Sequence, residues 1–472
     1  MSQSLWSVVL PLTVILLGVL GFRRPAWQVA VVAMVSAGVV TVVANPSLAQ
    51  HLPTSLASAL ALTGDAGIVI IPGLWLNDLL KASGARDDIV EWVGAWPAAP
   101  GLAAVIVTAG FAPALESLTG FGVSLLVTVP VLLRVLPRRQ ALTASLLSLT
   151  IMPWGTAALA TSLAAEMTGV KATALGTTSA LFSFAVFPCF AAVTGRVVSG
   201  GNRRITMAGA ALGLLFSAVL LAVNALGIVP IAGILAGAVT GVAGYAVVLG
   251  RRHSAPRPPC RALAPYGVAI GLIIAQRILD VTTGLGRFGA ISAGSVSFEP
   301  LTSPGIALCA AALFPACRAR TSGGARAVVS SAWRPLVVLF AFATIAQIMN
   351  LSGAIAVIGA FVSHSGRVGF IAFAPILAIA SGYLTGSNTA ANALMATTQA
   401  AIGSPWNTTA AVALQNCGAG HAVFASAPET TLVQSIAGNA SRQEETHLLR
   451  AGAAVLPLVW VIMTIGAAII TT

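Results

Sequence analysis

Charged residues are scarce in this chain. They make up 8% of its 472 residues, whereas 57% are apolar. A water-soluble domain of this size could not bury so much apolar surface. We therefore expect lipid to be the solvent and predict an all-α polytopic membrane protein.

Cysteine and catalytic signatures are also sparse. The five cysteines form no CxxC pair and have no histidine at metal-ligand spacing, so we expect neither a metal nor a cofactor. The apolar segments contain no HExxH motif, nucleophile elbow or acid dyad. We expect no catalytic residue and no enzyme, and we keep a membrane enzyme and a non-transporting scaffold only as alternatives.

The net charge of +12 comes from arginines that lie between apolar segments. Such a distribution follows the positive-inside rule of membrane proteins and does not indicate a nucleic-acid partner. The basic segments 196–204 and 251–261 enclose a charge-free stretch, 205–250, which is interrupted near its middle and suits two spans. Both basic segments are therefore expected on the cytoplasmic side.

The chain is predicted to have two transmembrane halves. Residues 251–261 are rich in Pro and Arg, cannot span a membrane and fit a basic cytoplasmic linker between residues 1–250 and 262–472. The apolar segments together predict about 12 transmembrane helices. We interpret the first of them, 5–22, as a retained helix rather than a signal peptide.

The two halves carry related motifs. ALESLTG, Ala114–Gly120, aligns with ASGYLTG, Ala380–Gly386, and the same offset places the polar segment 150–155 on 416–421. Interrupted hydrophobic segments at corresponding positions are typical of secondary transporters, whose substrate binds near the bilayer midplane between repeats. The sequence predicts two inverted repeats with re-entrant or broken helices, at about 100–200 and 366–440.

Glu116 stands at the first interruption, in the segment ESLTGFG. Acidic residues at membrane depth are usually functional, and a carboxyl group that alternates between neutral and ionised forms is what proton coupling requires. The alternative is an acid that only caps a half-helix or pairs with an arginine. We predict Glu116 as the proton carrier.

The second interruption, TGSNTAAN, concentrates hydroxyl and amide groups in a long run without charge. A helix that begins near Ser387 would direct free N–H groups and a positive dipole end at an anion. The alternative is that these side chains only hold helices together. We predict that six residues bind the substrate, namely Thr119, Gly120, Ser387, Asn388, Thr389 and Asn416.

Two further ionisable residues have competing interpretations. His421 could shuttle protons, although a single histidine in an apolar segment is as often a satisfied core residue. Arg277 lies three residues before Asp280, so an intrahelical ion pair near a membrane surface is the simpler interpretation. A clamp on the substrate carboxylate is the alternative for Arg277.

These interruptions resemble the L-lactate permease family. ESLTGFG corresponds to the family's EGAAGFG, and LTGSNTAAN corresponds to its LTGSDTSSN; LQNCGAG (414–420) and SAPETTLVQSIAG (426–438) follow in the family's order. The resemblance covers about 100–200 and 370–472 well. It implies proton-coupled uptake of lactate or glycolate, and we expect a multi-pass protein of the bacterial inner membrane.

One departure from the family bears on coupling. Asn388 stands where the family has an acid, and Ser387-Asn388-Thr389 is also similar to the SNT hairpin tip of related dicarboxylate/sodium symporters. A sodium-coupled or exchanging carrier of another organic anion, such as a dicarboxylate or sulfonate, is therefore the alternative function. The partners expected are a small organic anion, a proton or sodium, and the bilayer; homo-oligomer formation is left open.

Overall fold

The computed structural model describes residues 2–22, 24–251, 256–293, 296–313, 324–357, 360, 366–439 and 441–470. Thirteen helices form the first half: α1 Ser2–Leu16, α2 Ala26–Ala44, α3 Leu52–Ala82, α4 Ala85–Gly94, α5 Pro100–Ile106, α6 Ala112–Thr119, α7 Leu125–Val135, α8 Arg138–Leu147, α9 Gly155–Thr168, α10 Ala172–Ser183, α11 Val186–Val198, α12 Arg203–Ala225 and α13 Val229–Arg251. Short π-helical turns, Leu17–Gly21 and Val107–Phe111, and 3-10 turns, Pro46–His51 and Ser148–Trp154, connect some of them.

The second half is also helical apart from one small hairpin. Its described elements are α14 Cys260–Thr283, β1 Ile291–Ala293, β2 Val296–Phe298, α15 Pro304–Ala312, α16 Gly324–Leu351, α17 Gly366–Thr385, α18 Asn388–Gly403, α19 Thr408–Gly420, α20 Ala427–Ala437 and α21 Arg442–Ile470, with 3-10 turns at Leu285–Arg287, Pro300–Thr302 and Val423–Ala425. Strands β1 and β2 pair antiparallel, with Ile291 opposite Phe298.

The all-α membrane class is confirmed, but the number of spans is not. Within the described ranges, ten helices are long and apolar enough to cross a membrane, and the bent pair α10–α11, with an angle of 42°, would make eleven. The expected count of about 12 is therefore not confirmed. The first apolar helix includes only a short apolar stretch, Val9–Val19, and is not among the ten.

The hairpin predicted at 205–250 is present as α12 and α13, which pack against each other. The turn between them contains Gly227, whose φ of +77° is readily adopted only by glycine. The proposed linker follows α13. Residues 252–255 of it lie outside the described part of the chain, and Pro256 accepts hydrogen bonds from Trp92 Nε1 (3.1 Å) and the Tyr245 hydroxyl.

The outer surface is apolar, as lipid contact requires. Val43, Leu226 and Val368 are each more than 70% exposed, at 77%, 75% and 79%. The inner layer, in contrast, contains many buried hydroxyl and amide side chains from both halves. Polar groups have thus been withdrawn from lipid into the protein, where they can be hydrogen-bonded or line a transport path.

The two halves interleave around this polar layer. Helix α9 of the first half packs against α18 of the second, α10 packs against α19, and α7 and α8 pack against α20. Arg138 at the start of α8 also forms a two-pronged ion pair with Glu444 of α21, with N–O distances of 2.8 and 3.0 Å. Each half therefore completes the other rather than forming a separate bundle.

Candidate functional site

The first predicted interruption is a sharp break between α6 and α7. Gly120, Phe121 and Gly122 all have positive φ angles, of 70°, 55° and 71°. A side chain at Gly120 would collide with the hydroxyl oxygen of Thr156. Glycine is therefore required at this position both by the backbone conformation and by the close approach of the start of α9.

Glu116 lies inside this break. Its side chain is fully buried, and its carboxylate accepts hydrogen bonds from the backbone N–H groups of Gly122 (2.9 Å) and Ser124 (3.2 Å). The carboxylate thus satisfies N–H groups that the interrupted helix leaves free. This is the geometry of an acid that caps a half-helix, which is the alternative interpretation of Glu116. Its role as proton carrier stays a prediction.

The second interruption is a break between α17 and α18. Gly386 has a φ of +63°, and Ser387 caps α18 by accepting a hydrogen bond from Ala390 N (3.4 Å). The Thr385 hydroxyl donates to Ser387 O at 2.9 Å and so closes the turn. This is the helix start predicted from TGSNTAAN, with the N–H groups of Asn388 and Thr389 in its first turn.

Asn416 of α19 connects the second break to the first half. Its Oδ1 atom accepts from the amides of Asn388 (3.0 Å) and Asn392 (2.9 Å). Its own amide donates to Thr161 Oγ1 (2.8 Å) and Ser179 Oγ (3.1 Å). All of these side chains are buried, so the predicted residues Asn388 and Asn416 are brought together in a network that spans both repeats.

Some oxygens in this layer lack a partner. Among the described residues, Oδ1 of Asn388, Oδ1 of Asn392 and Oε1 of Gln415 are buried without a hydrogen-bond donor. Buried acceptors of this kind are costly unless something donates to them. They are therefore available to a hydroxyl group or a cation that enters the site.

Thr119 and Gly120 are engaged within their own helix end. The Thr119 hydroxyl donates to Leu115 O (2.7 Å), and the Gly120 N–H donates to Glu116 O (2.8 Å). Neither predicted binding residue contacts the network around Asn416 through these bonds. Their roles in substrate binding stay predictions.

His421 follows α19, in the partner interruption of the second half. Its Nδ1 atom lies 2.7 Å from Thr150 O, and its Nε2 atom lies 2.7 Å from Ser183 Oγ. Because a carbonyl oxygen can only accept, Nδ1 carries a proton in this arrangement. His421 is a buried residue with both ring nitrogens engaged, and its proton-coupling role is not tested by this geometry.

The structure agrees with the simpler of the two interpretations of Arg277, an intrahelical ion pair. Its guanidinium binds the Asp280 carboxylate at 2.9 Å on the same helix, and its side chain is 40% exposed. This intrahelical pair was predicted from the sequence. The clamp on a substrate carboxylate gains no support.

Glu429 is the residue that the sequence interpretation missed. It lies in the first turn of α20, is only 6% exposed, and its Oε2 atom has no hydrogen-bond partner among the described residues. The carboxyl group is within electrostatic range of Glu116. One feature of the sequence could have identified Glu429: it is the first charged residue after the long charge-free run that carries TGSNTAAN.

These features define a class of protein. Apolar spanning helices, a broken helix in each half, and a buried polar network that links the second break to the first half are the architecture of a multi-pass membrane transporter. Within that class, residues 268–472 match the model of the L-lactate permease family. The match confirms, for this part of the chain, the resemblance inferred from the motifs.

The matched range includes the second break, Asn416, His421 and Glu429, but it begins after the first half of the chain. The resemblance of the segment around Glu116 rests on the ESLTGFG motif alone. No curated protein shows significant similarity to the chain. Across the described residues, no cluster of His, Cys, Asp and Glu has the geometry of a metal site.

Proposed function

We propose that the protein takes up a small 2-hydroxymonocarboxylate, such as L-lactate or glycolate, together with a proton across a bacterial inner membrane. The observation that carries this proposal is the buried start of α18, where Asn388 is held by Asn416 and both lie against the first half of the chain. The family match over residues 268–472 supports a lactate-type substrate.

The substrate carboxylate would bind at the start of α18. N–H groups of a first helical turn have no acceptor within the helix, and the helix dipole favours an anion there. Ser387 can donate its hydroxyl proton while its oxygen caps Ala390 N. Asn388 has a second amide hydrogen besides the one directed at Asn416.

The 2-hydroxyl group has a matching acceptor nearby. Oδ1 of Asn388 and Oδ1 of Asn392 are buried and unpartnered, and a hydroxyl donor would remove the cost of leaving them so. A site that bonds to a substrate hydroxyl rejects analogues that lack it. We therefore expect lactate and glycolate to be preferred over propionate and acetate.

The proton would be carried by Glu116, which is buried at the other break and has no cationic partner in the described ion pairs. A membrane-buried acid without a cation is favourable in its neutral form and can release a proton only when water reaches it. His421, linked to Thr150 and Ser183, is the second candidate for proton movement.

The experiment that tests substrate and binding site is uptake of labelled L-lactate by proteoliposomes with an inward proton gradient. Replacing Ser387→Ala together with Asn388→Ala removes donors to a charged ligand, each worth about 1.5–3 kcal/mol, so KM should rise at least about tenfold. Asn407→Ala is the matched control, because Asn407 caps α19 in the same manner but outside the breaks. Unchanged KM in the double variant would remove the binding site proposed here.

The coupling ion is tested in the same vesicles. Uptake should fall when the proton gradient is collapsed and in Glu116→Gln, and it should not depend on sodium. If uptake instead requires sodium and prefers a dicarboxylate or a sulfonate, the substitution of Asn388 for the family's acid marks the alternative carrier.

A further inference from the structure

The first break and the start of α20 bring two carboxyl groups together, one from each half. Glu116 lies at the end of α6, and Glu429 lies at the start of α20. Both are buried, and Gly122 lies against both of them. We propose that Glu116 and Glu429 form a single coupling site that holds the transported proton between them; this inference rests on the proposed function and extends it to a residue in the second repeat.

Gly122 is the point at which the two acids meet. Its N–H donates to Glu116 Oε1 at 2.9 Å. A Cβ atom at Gly122 would lie 3.0 Å from Glu429 Oε2 and 2.6 Å from Leu432 Cδ2. The absence of a side chain at Gly122 therefore lets α20 approach closely enough for Glu429 to face the carboxylate cap of Glu116.

The two carboxyl groups are supported unequally. Glu116 receives two backbone N–H donors, which make its carboxylate form less costly than that of Glu429. Glu429 is buried, and its Oε2 atom points towards the break without any donor. An ionised Glu429 would be a desolvated charge beside another charge, whereas a protonated Glu429 has an O–H group to offer. The closed site is thus built for one negative charge and one proton.

In the ion pairs of the described residues, no cation is bound to either glutamate. Among the described side chains of the packed helices α7, α8 and α21, Arg138 binds Glu444 and Arg139 binds His447. Arg134 packs over Gly94. On the first-half side, Asp65 and Glu166 interact with each other and would only add negative charge.

On α4, which packs against α7, Asp87, Asp88 and Glu91 are exposed, and Arg86 pairs with Asp87. On the packed elements, Arg442 and Arg450 are exposed, Glu445 is partly exposed, Asp78 and Lys81 lie farther along α3, and His421 is bonded to Thr150 and Ser183. The pair of glutamates must therefore balance its own charge.

This arrangement gives a physical reason for coupling. In the loaded state the pair holds one proton as an O–H bond and carries a single negative charge. Release breaks that O–H bond and transfers the proton to water on the cytoplasmic side, leaving two carboxylates. Two like charges are unfavourable in a closed, dry site, so the substrate-loaded site closes only with a proton bound, whereas the empty carrier returns without that proton, with water kept around its two carboxylates.

The decisive variant is Glu429→Gln, which keeps the size of the side chain but fixes it in a neutral form. We expect it to lose accumulation of L-lactate driven by a proton gradient while retaining exchange of internal for external lactate at equal pH, because exchange needs no proton release. Glu91→Gln, at an exposed glutamate of α4, is the control and should retain both activities. Accumulation at the wild-type level in Glu429→Gln would overturn the inference.

A second measurement does not depend on transport. Infrared difference spectra of the purified protein report protonated carboxyl groups by their C=O stretch, and two coupled acids titrate as a pair. Removing Glu116 by Glu116→Gln should move the titration of the remaining Glu429 band to a different pH. An identical band titration in wild type and Glu116→Gln would refute the pair.

The two failures can be told apart. If wild-type vesicles do not accumulate lactate, the proposed function fails, whereas the infrared titration still decides whether the two acids share a proton. If wild-type vesicles accumulate lactate with protons and the titrations are independent, only the inference fails. A titration that shifts with sodium rather than with Glu116→Gln would assign the pair to a cation other than the proton and also overturn the inference.

Discussion

Asn416→Ala is the substitution whose effect on the free energy of unfolding can be worked out most directly from the structure. Asn416 makes four side-chain hydrogen bonds, to Asn388, Asn392, Thr161 and Ser179. Side-chain hydrogen bonds between membrane helices average about 0.6 kcal/mol each, so the loss of four should lower the free energy of unfolding by about 2.4 kcal/mol. The substitution also separates the two repeats at the site.

The assay is equilibrium unfolding of the purified protein in mixed micelles with increasing sodium dodecyl sulfate. Asn407→Ala serves as the matched control, since it removes one helix cap and should cost about 1 kcal/mol. A double-mutant cycle with Asn388→Ala isolates the bond between Asn388 and Asn416, with an expected coupling of about 0.6 kcal/mol. If the free energy of unfolding of Asn416→Ala is within about 0.5 kcal/mol of the wild-type value, as is usual for surface substitutions, the network does not hold the halves together.

Three further substitutions test other parts of the structure. Gly120→Ala should destabilise the protein by about 1–3 kcal/mol in the same unfolding assay, because the position has φ of +70° and no room for a side chain. Gly267→Ala is the control: this position lies in a helix with open space around it, so the substitution should be neutral or slightly stabilising. Arg138→Ala removes the partly exposed pair with Glu444 and should cost less than about 1 kcal/mol in unfolding; a larger loss would show that the pair is not screened by solvent. Arg277→Ala should leave the KM for lactate unchanged in vesicles, and a tenfold rise would restore the clamp interpretation.

Much of the framework follows from local signals in the sequence. Gly120 and Gly386 were expected to interrupt helices because glycine tolerates backbone conformations that other residues avoid, and both have positive φ angles. Ser387 was expected at a helix start, and it caps α18. These features depend on a few neighbouring residues, which is why a single sequence reveals them.

Contacts between residues far apart in the chain could not be predicted from such local signals. Glu429 faces Glu116 only because α20 packs against α7, and nothing local to either acid specifies that contact. Thr156, Ala157 and Ala158 adopt left-handed angles at the start of α9 although none of them is glycine, so the sequence predicts an interruption at 150–155 but not this turn. The exact number of spans could not be predicted from hydropathy, because short apolar helices and helices that cross the membrane have similar apolar composition.

The hydrogen-bond partners in the site are synthesised in an order that suits translation from the N-terminus. The Glu116 carboxylate is satisfied by Gly122 and Ser124, within its own half, so a nascent first half can enter the membrane with this acid already capped. Asn416 depends on Thr161 and other residues made earlier. The half that is translated last thus finds its polar partners already in the bilayer, and neither half should acquire transport activity until both have been inserted.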